Sequence, residues 1–208
     1  MKYVLKKLNN ILLMNHKMKL VFGIIFIIAM GSCTNSSNPL SDTEKQHYLN
    51  LGDSIATTAQ QSLLKNVTRA IQENGTAQAV AYCNIKATPL TDSISKAFTV
   101  KVKRLTDKTR NPENSIRLEA DKKAWEAIKR ISTDPSNLQK HILIQEGVSV
   151  YYYKAIQIGM PTCLSCHGNK ETDIDAETLQ NIFNKYPSDL ATGYKLGDLR
   201  GMWKIKLE

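Results

Sequence analysis

The stretch "GMPTCLSCHGNK" at 159–170 holds two cysteines separated by two residues, with a histidine directly after the second. A fold that uses Cys163, Cys166 and His167 together must deliver three donors into one space from one short segment. C-x-x-C-H is the attachment signature of c-type haem. On that reading Cys163 and Cys166 form thioethers to the porphyrin, and His167 is the proximal iron ligand. Two other chemistries compete. A thioredoxin-like dithiol needs the motif to open a helix after a strand in a βαβ setting, and it leaves His167 without a role. A zinc site needs two more ligands, and the candidates, Cys83, His47 and His141, are not paired at ligand spacing. One motif implies one covalent haem.

The N-terminus favours haem, because c-type haem is attached outside the cytoplasm in bacteria. Lys17 and Lys19 precede the uncharged run "LVFGIIFIIAM" at 20–30, followed by Gly31, Ser32 and Cys33. A basic region, a short apolar run and small residues describe a secretory signal. The run falls short of the roughly 20 apolar residues that span a bilayer. Residues 30–33 resemble a bacterial lipoprotein box, with Met30 where leucine is usual; a plain signal peptide would leave Cys33 incidental. The expected organisation is a lipoprotein-type signal peptide over 1–32 and a flexible polar tether over 33–43. Cys33 is then the lipidated membrane anchor, and 44–208 is the haem-binding domain. Such a protein is exported, to the periplasm or the outer face of a membrane.

Net charge is +9, but residues 1–32 contain five lysines and no acids. The remaining 23 basic and 19 acidic residues leave +4. With no basic stripe interleaved with aromatics, nucleic acid is excluded as a partner.

With Cys33 lipidated and Cys163 and Cys166 used together, Cys83 has no disulfide partner left. A spare thiol in an oxidising compartment is either buried and inert or bound to something. Apolar positions from Leu49 to Ile71 recur at helical spacing, opened by Ser41, Asp42 and Glu44 and stopped by Asn74 and Gly75. A second helix starts at Thr76 and meets a break or kink at Pro89. A strand is expected at 99–105, a loop at 106–115, a helix from Arg117 to Ile131 and a turn at "DPSN". A hairpin follows, turning near Glu146 and Gly147, then the motif in a loop between strands. A short helix at 175–187 and a final strand close the chain. Tyr151 and Tyr153 share one strand face and Tyr152 takes the other. The fold class is α+β, with an antiparallel sheet of about four or five strands after a long N-terminal helical segment.

Four segments, "AVAYCNIKATPL" at 79–90, "VKRLTDKTRNPENS" at 102–115, "PTCLSCHG" at 161–168 and "YKLGDLRGMWKI" at 194–205, complete the pattern. In this order they resemble a family of exported, single-haem c-type cytochrome domains with a PAS-like fold. Its members stand alone or form the sensor region of membrane signalling proteins. The resemblance covers most of residues 45–208. It implies a distal thiolate ligand from the helical cysteine segment, here Cys83, opposite His167. Met160, Met202, His141 and His47 are the rivals for that position. Arg104 and Arg110, with Asn111, fall in a family-like loop, where a guanidinium either pairs with a haem propionate or pins the loop to backbone carbonyls.

A haem closed by histidine and thiolate suits a redox or gas sensor. It does not suit an enzyme such as a peroxidase, which needs an open distal position and an acid/base pair. The alternative is a membrane-tethered electron-transfer cytochrome, its surplus charge steering it to acidic partners. Either role requires a separate redox or signalling partner protein. The long first helix is a candidate homodimer seam; it could equally pack on its own sheet.

Overall fold

The computed structural model describes residues 38–208 except 135, 137 and 138. The expected signal peptide and Cys33 lie outside the described residues, as does part of the expected turn at 134–137. Of the tether, Asn38 and Leu40 hydrogen-bond through their backbones to the Gln145 side chain.

The long helix α1 runs Asp42–Ala97. Ser41 caps it, its hydroxyl accepting from the Glu44 backbone while the Glu44 carboxylate accepts from the Ser41 backbone. This reciprocal pairing satisfies two donors that a helix start otherwise leaves open. Gly75, with φ +79° and ψ 168°, divides α1 into two arms, as Asn74 and Gly75 predict; a side chain there would be strained. Pro89, by contrast, neither breaks the helix nor takes it out of helical geometry. The arms fold against each other. Tyr82 donates to Asn66 Oδ1 at 3.2 Å, although sixteen residues of straight helix would separate them by about 24 Å.

The sheet has four strands in the order β1-β4-β3-β2, every neighbour antiparallel. Its strands are β1 Lys101–Leu105, β2 His141–Glu146, β3 Ser149–Gln157 and β4 Leu199–Lys206. The β2–β3 hairpin turns at Gly147 with φ +61°, as the sequence predicts. Helix α2 (Glu119–Thr133) precedes β2, and two short helices, α3 (Pro161–His167) and α4 (Ala176–Lys185), separate β3 from β4. The C-x-x-C-H motif, expected in a loop, therefore lies on a helix. Pro161 explains this: its fixed φ and missing N–H suit the first helical position.

Alternation along the strands assigns the two faces. Val102, Tyr152, Trp203 and Ile205 pack with Ile55, Ala56 and Ala59 of the first arm of α1. Leu105, Tyr153 and Met202 pack with Ala124, Trp125 and Ile128 of α2. Tyr151 and Tyr153 share the α2 face, with ring centroids 6.4 Å apart. The architecture is the α+β class expected, with a four-stranded antiparallel sheet and a long N-terminal helix. The second arm of α1 packs on α4, where Val80, Ile174 and Ile182 form a separate cluster, and meets β1 at its end, where Ser95 Oγ accepts from the Val102 N–H. A cavity opens between this arm, the sheet edge and α3.

Candidate cofactor site

Helix α3 is a platform of about two turns. Cys163, Cys166 and His167 stand at i, i+3 and i+4, so one face of the helix carries all three, and all three line the cavity. Cys83 lines the same cavity from the second arm of α1, one turn beyond Val80. The space, counting its open mouth, is about 1400 Å³. Its walls are largely apolar, with Leu63, Leu64, Val67 and Ile71 from the first arm. The Gly75 bend shapes this chamber, because it lets both arms of one helix line one space.

Position and protonation of His167 are set from behind. Its Nδ1 lies 2.8 Å from the Ala191 carbonyl oxygen, which fixes Nδ1 as the protonated nitrogen and leaves Nε2 with its lone pair. The backbone of 191–194 clamps the end of α3: Gly193 N–H donates to Gly168 O and Tyr194 N–H to His167 O. The Tyr194 ring stands edge-on to the imidazole at 6.4 Å. Burial, then the guanidiniums of Arg110 and Arg200, holds the imidazole pKa well below its ordinary value. The ring is neutral, as a metal ligand must be.

Arg110 reaches the motif through its backbone. Its Nε donates to Asp189 Oδ1 at 2.9 Å and its Nη2 to the Cys166 carbonyl at 2.6 Å. The ion pair is shielded, with side chains 12% and 7% exposed. Asp189 Oδ1 also accepts from the Ala191 N–H at 3.2 Å, so one carboxylate organises both Arg110 and the carbonyl that orients His167. Arg104 lines the cavity from β1, and burial lowers its pKa. Arg200, which the sequence reading passed over, lines it from β4. Gln60 from the first arm of α1 and Tyr186 from the end of α4 line it too; Arg200 falls in the family-like segment 194–205, and Gln60 and Tyr186 belong to none of the four segments.

The rival axial residues separate cleanly. Met202 is fully buried in the α2-side core. His47 is exposed on the first arm. His141 stacks near Tyr152 at 5.3 Å and is absent from the cavity wall. Met160 lines the cavity but directly precedes α3, on the same side as the motif.

The competing chemistries of the motif find little here. Among the described residues no group of three His, Cys, Asp or Glu side chains could cage a metal ion. Burial pushes the Cys166 thiol up to about 11, whereas reactive C-x-x-C thiols are acidified. The sheet contains no parallel pair, so there is no βαβ unit for a thioredoxin-like site.

Residues 36–207 match the family described as Tll0287-like. The chain belongs to that family. Among solved structures it is similar to the crystal structure of the cyanobacterial heme-protein Tll0287, at 25% identity. That match covers 82% of this chain and 96% of the other, with a TM-score of 0.59. No curated protein matches the chain. This family member thus shares its fold with a solved protein over nearly the whole length of that protein, and α3 and the cavity fall inside the matched residues.

Proposed function

We propose that this protein binds one haem in the cavity between α1, α3 and the sheet edge, attached covalently through Cys163 and Cys166. His167 Nε2 and Cys83 Sγ are the two axial ligands. The observation that carries the reading is the His167 imidazole, neutral, with Nδ1 held by Ala191 O and Nε2 free, on the same helix face as both cysteines. Kinship to a heme-protein of solved structure supports the same cofactor. The apolar walls suit a porphyrin, and the arginines suit its carboxylates. Haem bound here supplies one-electron redox chemistry and, where an axial position frees, a site for diatomic gases.

The role proposed is a redox or gas sensor, non-catalytic, exported and anchored at Cys33. Cys83 is the feature that favours sensing. It lies on the second arm of α1, which packs on α4 around Val80 and reaches β1 only near its end, through Ile94 and Ser95, so its hold on the site is coupled to the position of a helical arm. The alternative, an electron-transfer cytochrome, is favoured by the +4 charge of residues 33–208, which suits an acidic redox partner. The test is expression of the full chain in an exporting host that matures c-type cytochromes, followed by mass measurement and spectroscopy. A mass increase of one haem, retained on denaturation, supports attachment; no covalent haem overturns it. Carbon monoxide uptake by the reduced protein separates the roles: binding favours the sensor, refusal the carrier.

A further inference from the structure

Three guanidinium groups line the cavity, those of Arg104, Arg110 and Arg200, and none of its described lining residues is an Asp or Glu. Only Arg110 has a carboxylate, Asp189, placed behind it. Arg104 is held in the sheet by its backbone, opposite Trp203, but its guanidinium makes no hydrogen bond or ion pair to any described residue. Asp92 and Glu113 stand around an adjoining cavity that Arg104 also lines, but neither forms an ion pair with it. Arg200 donates from Nη1 to Thr106 Oγ1 and to the Lys108 carbonyl, each at 3.2 Å. It has no acidic partner, and its Nε is buried without any. Neither the Arg104 nor the Arg200 guanidinium forms an ion pair with a described carboxylate, although Arg200 lies over the Tyr194 ring at 5.5 Å. Buried charges without partners are costly, so a site of this kind is completed by an anionic ligand. A porphyrin of the haem type carries two carboxylates.

Resting on the haem reading above, we propose that Arg104 and Arg200 bind the two carboxylates of the cofactor. Arg110 is a positioning residue, holding the Cys163–His167 helix in place through the Cys166 carbonyl. The two sites differ in kind. The Arg104 fork is wholly uncommitted, so it is free to make a bidentate pair with a carboxylate. Arg200 has one nitrogen already engaged and offers its remaining donors. Arg110 spends its fork on Asp189 and on backbone oxygens.

The test uses the mature holoprotein and resonance Raman spectra in the region of the propionate bending modes, beside the reduction potential. Arg104→Gln and Arg200→Gln are each expected to shift a propionate band and to lower the potential, since each removes a cation without a carboxylate partner among the described residues. Arg110→Gln is expected to leave both propionate bands in place while broadening the axial-ligand signals, because its carbonyl contacts orient α3. Arg104→Lys keeps the charge but not the fork; it should move the band with little change in potential, and it serves if the glutamine variant fails to mature. Unmoved bands in both Arg104 variants and in Arg200→Gln, with covalent haem in place, overturn the inference and leave the haem reading standing. A changed axial-ligand signal with unmoved bands in Arg104→Gln also overturns it, since Arg104 would then face Cys83. Failure of the wild-type chain to acquire haem defeats the haem reading itself.

Discussion

The α2 face of the sheet and the cavity are both enclosed, but they handle polar groups in opposite ways. On the α2 face Asp121 is 4% exposed and fully matched: Lys204 Nζ lies 2.5 Å from its Oδ1 and Tyr153 OH donates at 2.8 Å. Lys204 also rides over the Tyr151 ring at 4.7 Å. Charge, hydrogen bonds and packing close on themselves. In the cavity, His167 Nε2, the Cys83 thiol and the Arg104 fork have no hydrogen-bond partner among the described residues, and Arg200, though bonded through Nη1, keeps a buried Nε without one. One region is matched by the chain's own groups, and the other keeps groups that the proposed haem would match. The difference teaches that unmatched groups in a well-formed fold locate function better than any single motif does.

That contrast gives an ordered set of ways to break the protein. The largest effect belongs to the joint substitution Cys163→Ser and Cys166→Ser. It should abolish covalent haem altogether, read by mass and by haem staining after denaturation, while the circular dichroism of the sheet survives. Next comes Asp121→Ala, which leaves Lys204 buried without its partner. By the usual penalty for breaking a buried pair it should cost about 3–5 kcal/mol in denaturant unfolding, with the haem spectrum unmoved. Gly52→Ala acts through packing. A Cβ there would lie 2.3 Å from Tyr152 Cγ, and overpacking of this kind costs about 1–3 kcal/mol. The loss should appear in the unfolding midpoint and not in the spectrum. Ser41→Ala, which removes the α1 cap, should cost about 1 kcal/mol. Were the two core variants to change the haem spectrum as strongly as the thiol variants, the two regions would not be independent.

Much of the fold was legible because it rests on local signals. Ser41 and Glu44 announce the start of α1, Gly75 its bend, Gly147 the hairpin, and the alternation of Tyr151, Tyr152 and Tyr153 the two faces. Pro89 misleads, because the second arm is held by packing on α4 and by contact with the first arm, which outweigh a missing hydrogen bond. The motif, expected in a loop between strands, lies on a helix, because Pro161 stands at the first helical position, where its missing N–H costs nothing. For the site, Cys163, Cys166, His167 and Cys83 were all nominated by spacing, cysteine bookkeeping and family likeness, and the fold brings them to one cavity. Arg200 and Asp189 were not nominated. Their roles depend on which strand lies beside which and on a loop returning to clamp α3, and no local pattern encodes that.

The central claim is that Cys83 and His167 share one iron. The most direct measurement is low-temperature EPR of the ferric protein, matured in an exporting host, beside Cys83→Ala with its covalent haem intact. A low-spin thiolate-type signal in the wild type that disappears in Cys83→Ala is the predicted result. Identical spectra from the two proteins would contradict the account, reducing Cys83 to packing and giving the second axial position to another residue.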